Sequence, residues 1–157
     1  MKLSKLALFS LMLWLATLSV FAWFFVRGNT EAGNDQRTAV VLHPEERALI
    51  LTEMRALLAA TQGVVDGVAH NDMAAVARSA RSAGMGAAAD VNPALMAKLP
   101  LAFKSQGMGV HHSMDDLAAA AESGKSGSEL LGMLGGTLSS CVACHAAWQL
   151  STAEHAQ

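Results

Sequence analysis

"CVACHAAW", residues 141–148, holds the only two cysteines of the chain, and a histidine follows the second at once. On a helix, Cys141 and Cys144 are three residues apart and Cys141 and His145 four, so all three side chains leave one face. The residues before them, "ELLGMLGGTLSS" at 129–140, continue the same helix toward its start, where Ser126 or Ser128 suits the cap. The cysteine pair therefore stands near the C-terminal end of the last helix.

That position separates the chemistries open to such a triplet. A structural zinc site takes four ligands. There is no second Cys-x-x-Cys, and His43, His70, His111, His112 and His155 form no recognisable ligand spacing. A redox dithiol normally opens a helix, where the dipole lowers the thiol pKa, and here the pair is at the other end. A disulfide between residues three apart closes a short, strained loop and staples nothing. Covalent haem attachment fits best: two thiols at this spacing reach the two vinyl groups on one porphyrin edge, and the adjacent His145 then lies under the iron. Gly132, Gly135 and Gly136 precede the pair, and each glycine costs a helix about 1 kcal/mol. A flat macrocycle lying close to the backbone accounts for them, and so does a loosely made helix.

Working outward, the chain reads as helices. Pro44 suits a first helical position, and Glu45 and Glu46 suit the positive end of its dipole. Leu51, Met54, Leu58, Thr61 and Val65 recur at three- and four-residue steps, predicting a helix over 44–69 with that stripe as its core face. Asn71 or Asp72 can cap the next helix, which ends near Gly84. "PALMAKL" predicts a short helical turn before Pro100, and a further helix runs over about 101–122. No segment alternates long enough to predict a strand. The expected class is all-α, an antiparallel four-helix bundle over 43–152 with a tail at 153–157.

Ahead of it stands a different kind of segment. Lys2 and Lys5 precede an uncharged apolar run from Leu6 to Val26, closed by Arg27. A bilayer core takes about 20 helical residues and a signal-peptide core about 7–15. Residues 1–27 are therefore expected to be an uncleaved signal anchor, a single transmembrane helix, with cleavage after Ala22 as the rival. The positive charge before the run puts the N-terminus in the cytoplasm. The rest is then periplasmic, tethered to a bacterial inner membrane. Residues 28–42, polar with Gly, Asn and Thr, read as a flexible linker. Charge is nearly balanced, 11 basic against 13 acidic residues, so nothing points to nucleic acid.

In position and surroundings this chain resembles the cytochrome c prime family. The likeness covers about 43–150 and is carried by "ER" ending at Arg47, "VVDG" (64–67), "AFK" with Phe103 and Lys104, "LAAAAESG" (117–124) and "CVACHAAW". It implies one haem c inside the bundle, linked at Cys141 and Cys144, with His145 as the proximal iron ligand. It implies a distal face covered by the first bundle helix. There the usual shielding position falls on Leu51, which would leave the iron open to small gases. Met54 lies three residues on, about 60° around the same helix, and its sulfur could instead complete the coordination of an electron carrier. Where many members have a basic residue four positions after the haem histidine, this chain has Gln149.

The expected function is a membrane-tethered monohaem cytochrome carrying single electrons to membrane or periplasmic redox partners. The alternatives are a five-coordinate haem protein binding NO or CO, and a helical adaptor in which the cysteines are incidental. No Ser-His-Asp set, phosphate loop or carboxylate pair suggests an enzyme. A second copy of the chain is a candidate partner through the family likeness.

Overall fold

The computed structural model describes residues 4–89 and 91–152; the expected tail at 153–157 lies outside them. The described chain is mostly helical, with six α-helices and one 3₁₀ turn. In order these are α1 (Lys5–Arg27), α2 (Pro44–Ala69), α3 (Met73–Arg81), the 3₁₀ turn Met85–Ala88, α4 (Pro93–Lys98), α5 (Leu101–Glu122) and α6 (Gly127–Ala147). The ends follow local chemistry. Ser126 and Glu129 make a reciprocal cap at the head of α6, and the Ser126 hydroxyl and amide draw the Glu129 carboxyl down to about 2. Asp72 caps α3 by accepting the Ala75 N–H at 2.8 Å, while Asn71 takes the left-handed turn at φ 55° that asparagine tolerates.

α1 is 23 residues long with a mean hydropathy of 2.0 and no buried residue. At about 1.5 Å per residue it spans a bilayer core of about 30 Å. Length and composition alone would also admit α2 and α6. Those two helices, however, bury one face against the rest of the chain.

The all-α class holds, but three short strands stand where no segment was expected to form one. β1 (Thr30–Ala32) pairs antiparallel with β2 (Thr38–Leu42), and β2 pairs parallel with β3 (Trp148–Thr152). The expected linker over 28–42 is thus a hairpin, with Ala39, Val40 and Leu42 buried. The expected helical continuation through Trp148–Leu150 is a strand that runs from Thr38↔Trp148 to Leu42↔Thr152. Pairing with β2 supplies the backbone partners that another helical turn would have supplied, and it also covers Val40 and Leu42.

Two cores result. Val64, Val76, Met114, Leu117, Leu130 and Leu134 join α2, α3, α5 and α6, with alanines such as Ala80, Ala118 and Ala121 letting the helices approach closely. Val40, Leu42, Ile50, Leu95, Leu99 and Phe103 form the second core, under the sheet. Each fully buried Val or Leu contributes about 1.5–3 kcal/mol. The α2 stripe is not the expected one. The buried residues are Ile50, Ala60, Val64 and Gly67, whereas Leu58 is 68% exposed and Val65 47%. α2 is apolar on two sides, and the packing of α3 and α6 chose the other one.

α1 joins this body without slack. Gly28 follows it at φ 63°, ψ −163°, and its N–H donates to Phe24 O at 2.8 Å. The Asn29 N–H donates to Lys98 O at 2.7 Å, and the Asn29 side-chain amide to Val41 O at 2.9 Å. A Cβ on Gly28 would lie 2.5 Å from both Lys98 O and Pro100 N. Gly28→Ala should therefore cost about 1–3 kcal/mol in thermal or urea unfolding, because that backbone region is nearly restricted to glycine. On α6 a Cβ at Gly135 or Gly136 would meet nothing within 4 Å. Gly135→Ala and Gly136→Ala should each stabilise by about 0.5–1 kcal/mol in the same measurement.

Candidate cofactor site

α6 presents Leu130, Leu134 and Thr137 to the core, and the same side continues to Cys141 and Cys144, both half-buried. His145, one position further round, is exposed. α2 enters from the opposite side. Cys144 and His145 of α6 line one cavity of about 290 Å³ together with Leu51 and Met54 of α2 and Phe103 of α5. The four positions singled out from distant parts of the sequence therefore meet. Cys141 stands one turn back on the same helix and is not part of that lining.

The sheet finishes the cavity. Trp148 lines it, packing edge-on against Phe103 with ring centroids 5.9 Å apart, and its indole N–H donates to Gln106 Oε1 at 2.9 Å. Arg37, on the β1–β2 turn, and Arg47, in the first turns of α2, add two cations to the lining. Arg37 donates to the carbonyl of His145 at 3.3 Å and to Gln149 Oε1 at 3.2 Å, and Asp35 holds it at 2.6 Å. A cation thus does stand beside Gln149, supplied by the hairpin and not by α6. Arg47 donates from Nε to Leu150 O at 3.4 Å and has no carboxylate partner among the described residues. Trp148, Arg37 and the sheet were missed in the sequence because each reaches the site through a pairing over a hundred residues long.

The thiols are free, and burial pushes both above the usual thiol range; at Cys144 the neighbouring Cys141 pushes in the same direction. An activated dithiol needs the opposite shift. Among the described residues no three His, Cys, Asp or Glu side chains converge on a point that could hold a metal ion. The donor set here is of the kind that holds a porphyrin. It offers two protonated thiols three residues apart, an imidazole beside them, apolar side chains opposite, and arginines for the carboxylates on a haem edge.

A second titratable cluster lies across α2. His111 of α5 is 4% exposed. Its Nδ1 is 2.8 Å from Ala83 O and its Nε2 is 3.0 Å from Glu53 Oε1. A carbonyl only accepts, so Nδ1 carries a proton, and Nε2 donates to Glu53 only in the imidazolium. The hydrogen bond to Glu53 is the main cause that raises the His111 pKa; burial opposes it and the Ala83 carbonyl adds to it. A raised histidine stabilises fully below its unfolded value of about 6.5 and loses that contribution as pH climbs through the native value. Unfolding stability should therefore fall by about 1–2 kcal/mol from pH 6 to pH 9, and Glu53→Gln should flatten that slope.

No family model, curated protein or solved structure matches this chain, so the case for its chemistry rests on the residues that meet at this cavity.

Proposed function

We propose that the chain is a membrane-tethered, monohaem c-type cytochrome that carries single electrons. The observation that carries the reading is the convergence of Cys144 and His145 with Leu51 and Met54 on one cavity. In this reading α2, α3, α5 and α6 are the four-helix bundle that resembles the cytochrome c prime family, and α1 is its inner-membrane anchor with the bundle in the periplasm. Bacterial c-type haem is attached outside the cytoplasmic membrane, so an export helix and a Cys-x-x-Cys-His belong together.

Cys141 and Cys144 would hold the haem by adding each S–H across a vinyl group, giving two thioethers. His145 would supply the proximal nitrogen. The bound haem supplies a one-electron couple. The chain's own part is to bind and shield. Phe103, Trp148 and Leu51 would shield the haem from water, and Arg47 and Arg37 would pair with its carboxylates. Arg37 also fixes the C-terminal turn of α6 through the His145 carbonyl. Met54 lines the same cavity as Cys144 and His145, which supports its thioether as the group that would complete the iron's coordination. Leu51 lines the same cavity and supports the second reading, an open iron that binds NO or CO.

The test is the absorption spectrum of the full chain matured with haem in a bacterial periplasm. Covalent haem lost in Cys141→Ala/Cys144→Ala, sharp low-spin bands, and a far-red sulfur-to-iron band that disappears in Met54→Ala are the expected results. A broad high-spin spectrum that shifts with carbon monoxide would move the gas-binding reading ahead. Absence of covalent haem would overturn both.

A further inference from the structure

Behind α2, on the side away from Cys144 and His145, lies a second cavity of about 340 Å³. Ile50, Leu95, Leu99, Phe103 and Met108 make most of its wall apolar. Four polar side chains also line it: Glu53, His111, Lys104 and Thr52, whose hydroxyl is already bonded to Ala48 O and Arg55. Phe103 lines both cavities, so the two sites are neighbours through one ring.

The place of this cavity in the chain is what distinguishes it. Its wall includes Leu99, and the backbone on either side of Leu99 is the joint that receives Gly28 and Asn29. Lys104 sits with Nζ 4.1 Å over the ring of Phe25, in the last turn of α1. The cavity therefore lies close to the end of the helix long enough to cross a bilayer, within reach of molecules dissolved in one.

Its polar groups narrow the class further. His111 spends Nδ1 on Ala83 O and Nε2 on Glu53 Oε1, so Glu53 Oε2 is the acceptor left at one end. Lys104 donates once, to Met96 O at 3.2 Å, and keeps further N–H donors at the other end. Lys104 and His111 stand two turns apart on α5, so the ammonium and the Glu53 carboxylate that His111 holds are separate polar groups on one apolar wall. A flat ring with oxygens at opposite ends offers one polar group to each. A fatty acid would give its single head group to Lys104 and leave Glu53 without a donor, whereas a hydroquinone satisfies both. We propose that this cavity binds the ring of a lipid-soluble quinone or its hydroquinone, with the tail left in the membrane. One hydroxyl donates to Glu53, and the opposite oxygen accepts from Lys104. The cavity argues for the ligand by itself; only the ligand's role as electron source for the site across Phe103 rests on the haem reading.

The experiment is equilibrium binding of a short-tailed benzoquinone and its hydroquinone to the full chain in quinone-free phosphatidylcholine nanodiscs, with haem attached and without it. Saturable micromolar binding in both samples is expected. Gly107→Leu is the blocking variant. Gly107 lines the cavity, and a Cβ there meets nothing within 4 Å, so the larger side chain enters the space without disturbing α5. It should weaken binding at least tenfold while circular dichroism melting stays near wild type. Glu53→Gln should weaken the hydroquinone about tenfold and the quinone less, because only the hydroquinone donates to a carboxylate. No saturable binding, binding unchanged in Gly107→Leu, or equal displacement by decanoate would each overturn the proposal. Failure to incorporate haem would bear on the proposed function alone, since binding is read in haem-free protein as well.

Discussion

The parallel pairing of β2 with β3 is the constraint on which the rest depends. It lays Thr38–Leu42 beside Trp148–Thr152, and α2 begins two residues after Leu42. The head of α2 and the tail of α6 are thereby locked together. Leu51 and Met54 stand about two and three turns into α2; Cys144 and His145 occupy the last turn of α6. Without the ladder these would be two loose helix ends. With it, Arg37 reaches the His145 carbonyl, Arg47 reaches Leu150 O, and a cavity closes between them. The sheet is small, but its inward residues Val40 and Leu42 also seed the core that carries Phe103.

The helices were legible in the sequence because their signals are local. Pro44 with Glu45 and Glu46, Asp72, and Ser126 with Glu129 each announce a start within four residues, and the spans over 44–69 and 101–122 follow. The strands were not legible. "TAVVL" is too short to show alternation, and Trp148–Leu150 continues the apolar pattern of α6, so only a partner more than a hundred residues away decides its conformation. The α2 stripe failed for a related reason. A helix with apolar residues on two sides does not tell which one its neighbours will take, so Leu58 and Val65 are outside and Val64 inside. Of the site, Cys141, Cys144 and His145 are contiguous and could be read at once. Leu51 and Met54 were reached through the family resemblance, by counting from Arg47 to its shielding position and one turn on. Trp148 closes the stretch that holds the cysteines, but nothing local showed it at the cavity; Arg37 carries no local mark, and Glu53 with His111 is a contact across 58 residues.

α2 works as a partition. Leu51 and Met54 face the cavity with Cys144 and His145, while Ile50 and Glu53 face the other. This explains why α2 is apolar around more of its circumference than a helix with a single buried face requires. It also means that a rotation of α2 would alter both cavities together, so a substitution aimed at one will be felt in the other.

The Gly28 joint has a consequence for encounters. A domain on a loose leash sweeps a hemisphere, and its orientation is averaged before any partner arrives. Here the turn is fixed by backbone hydrogen bonds on both sides, so the tilt of α1 in the lipid sets the tilt of the whole body. For the proposed tethered carrier, the search for a partner would become lateral diffusion in a plane with one angle already chosen. Productive collisions would come from the flank the joint leaves uncovered, and bilayer thickness, by changing the lean of α1, would become a variable that steers them.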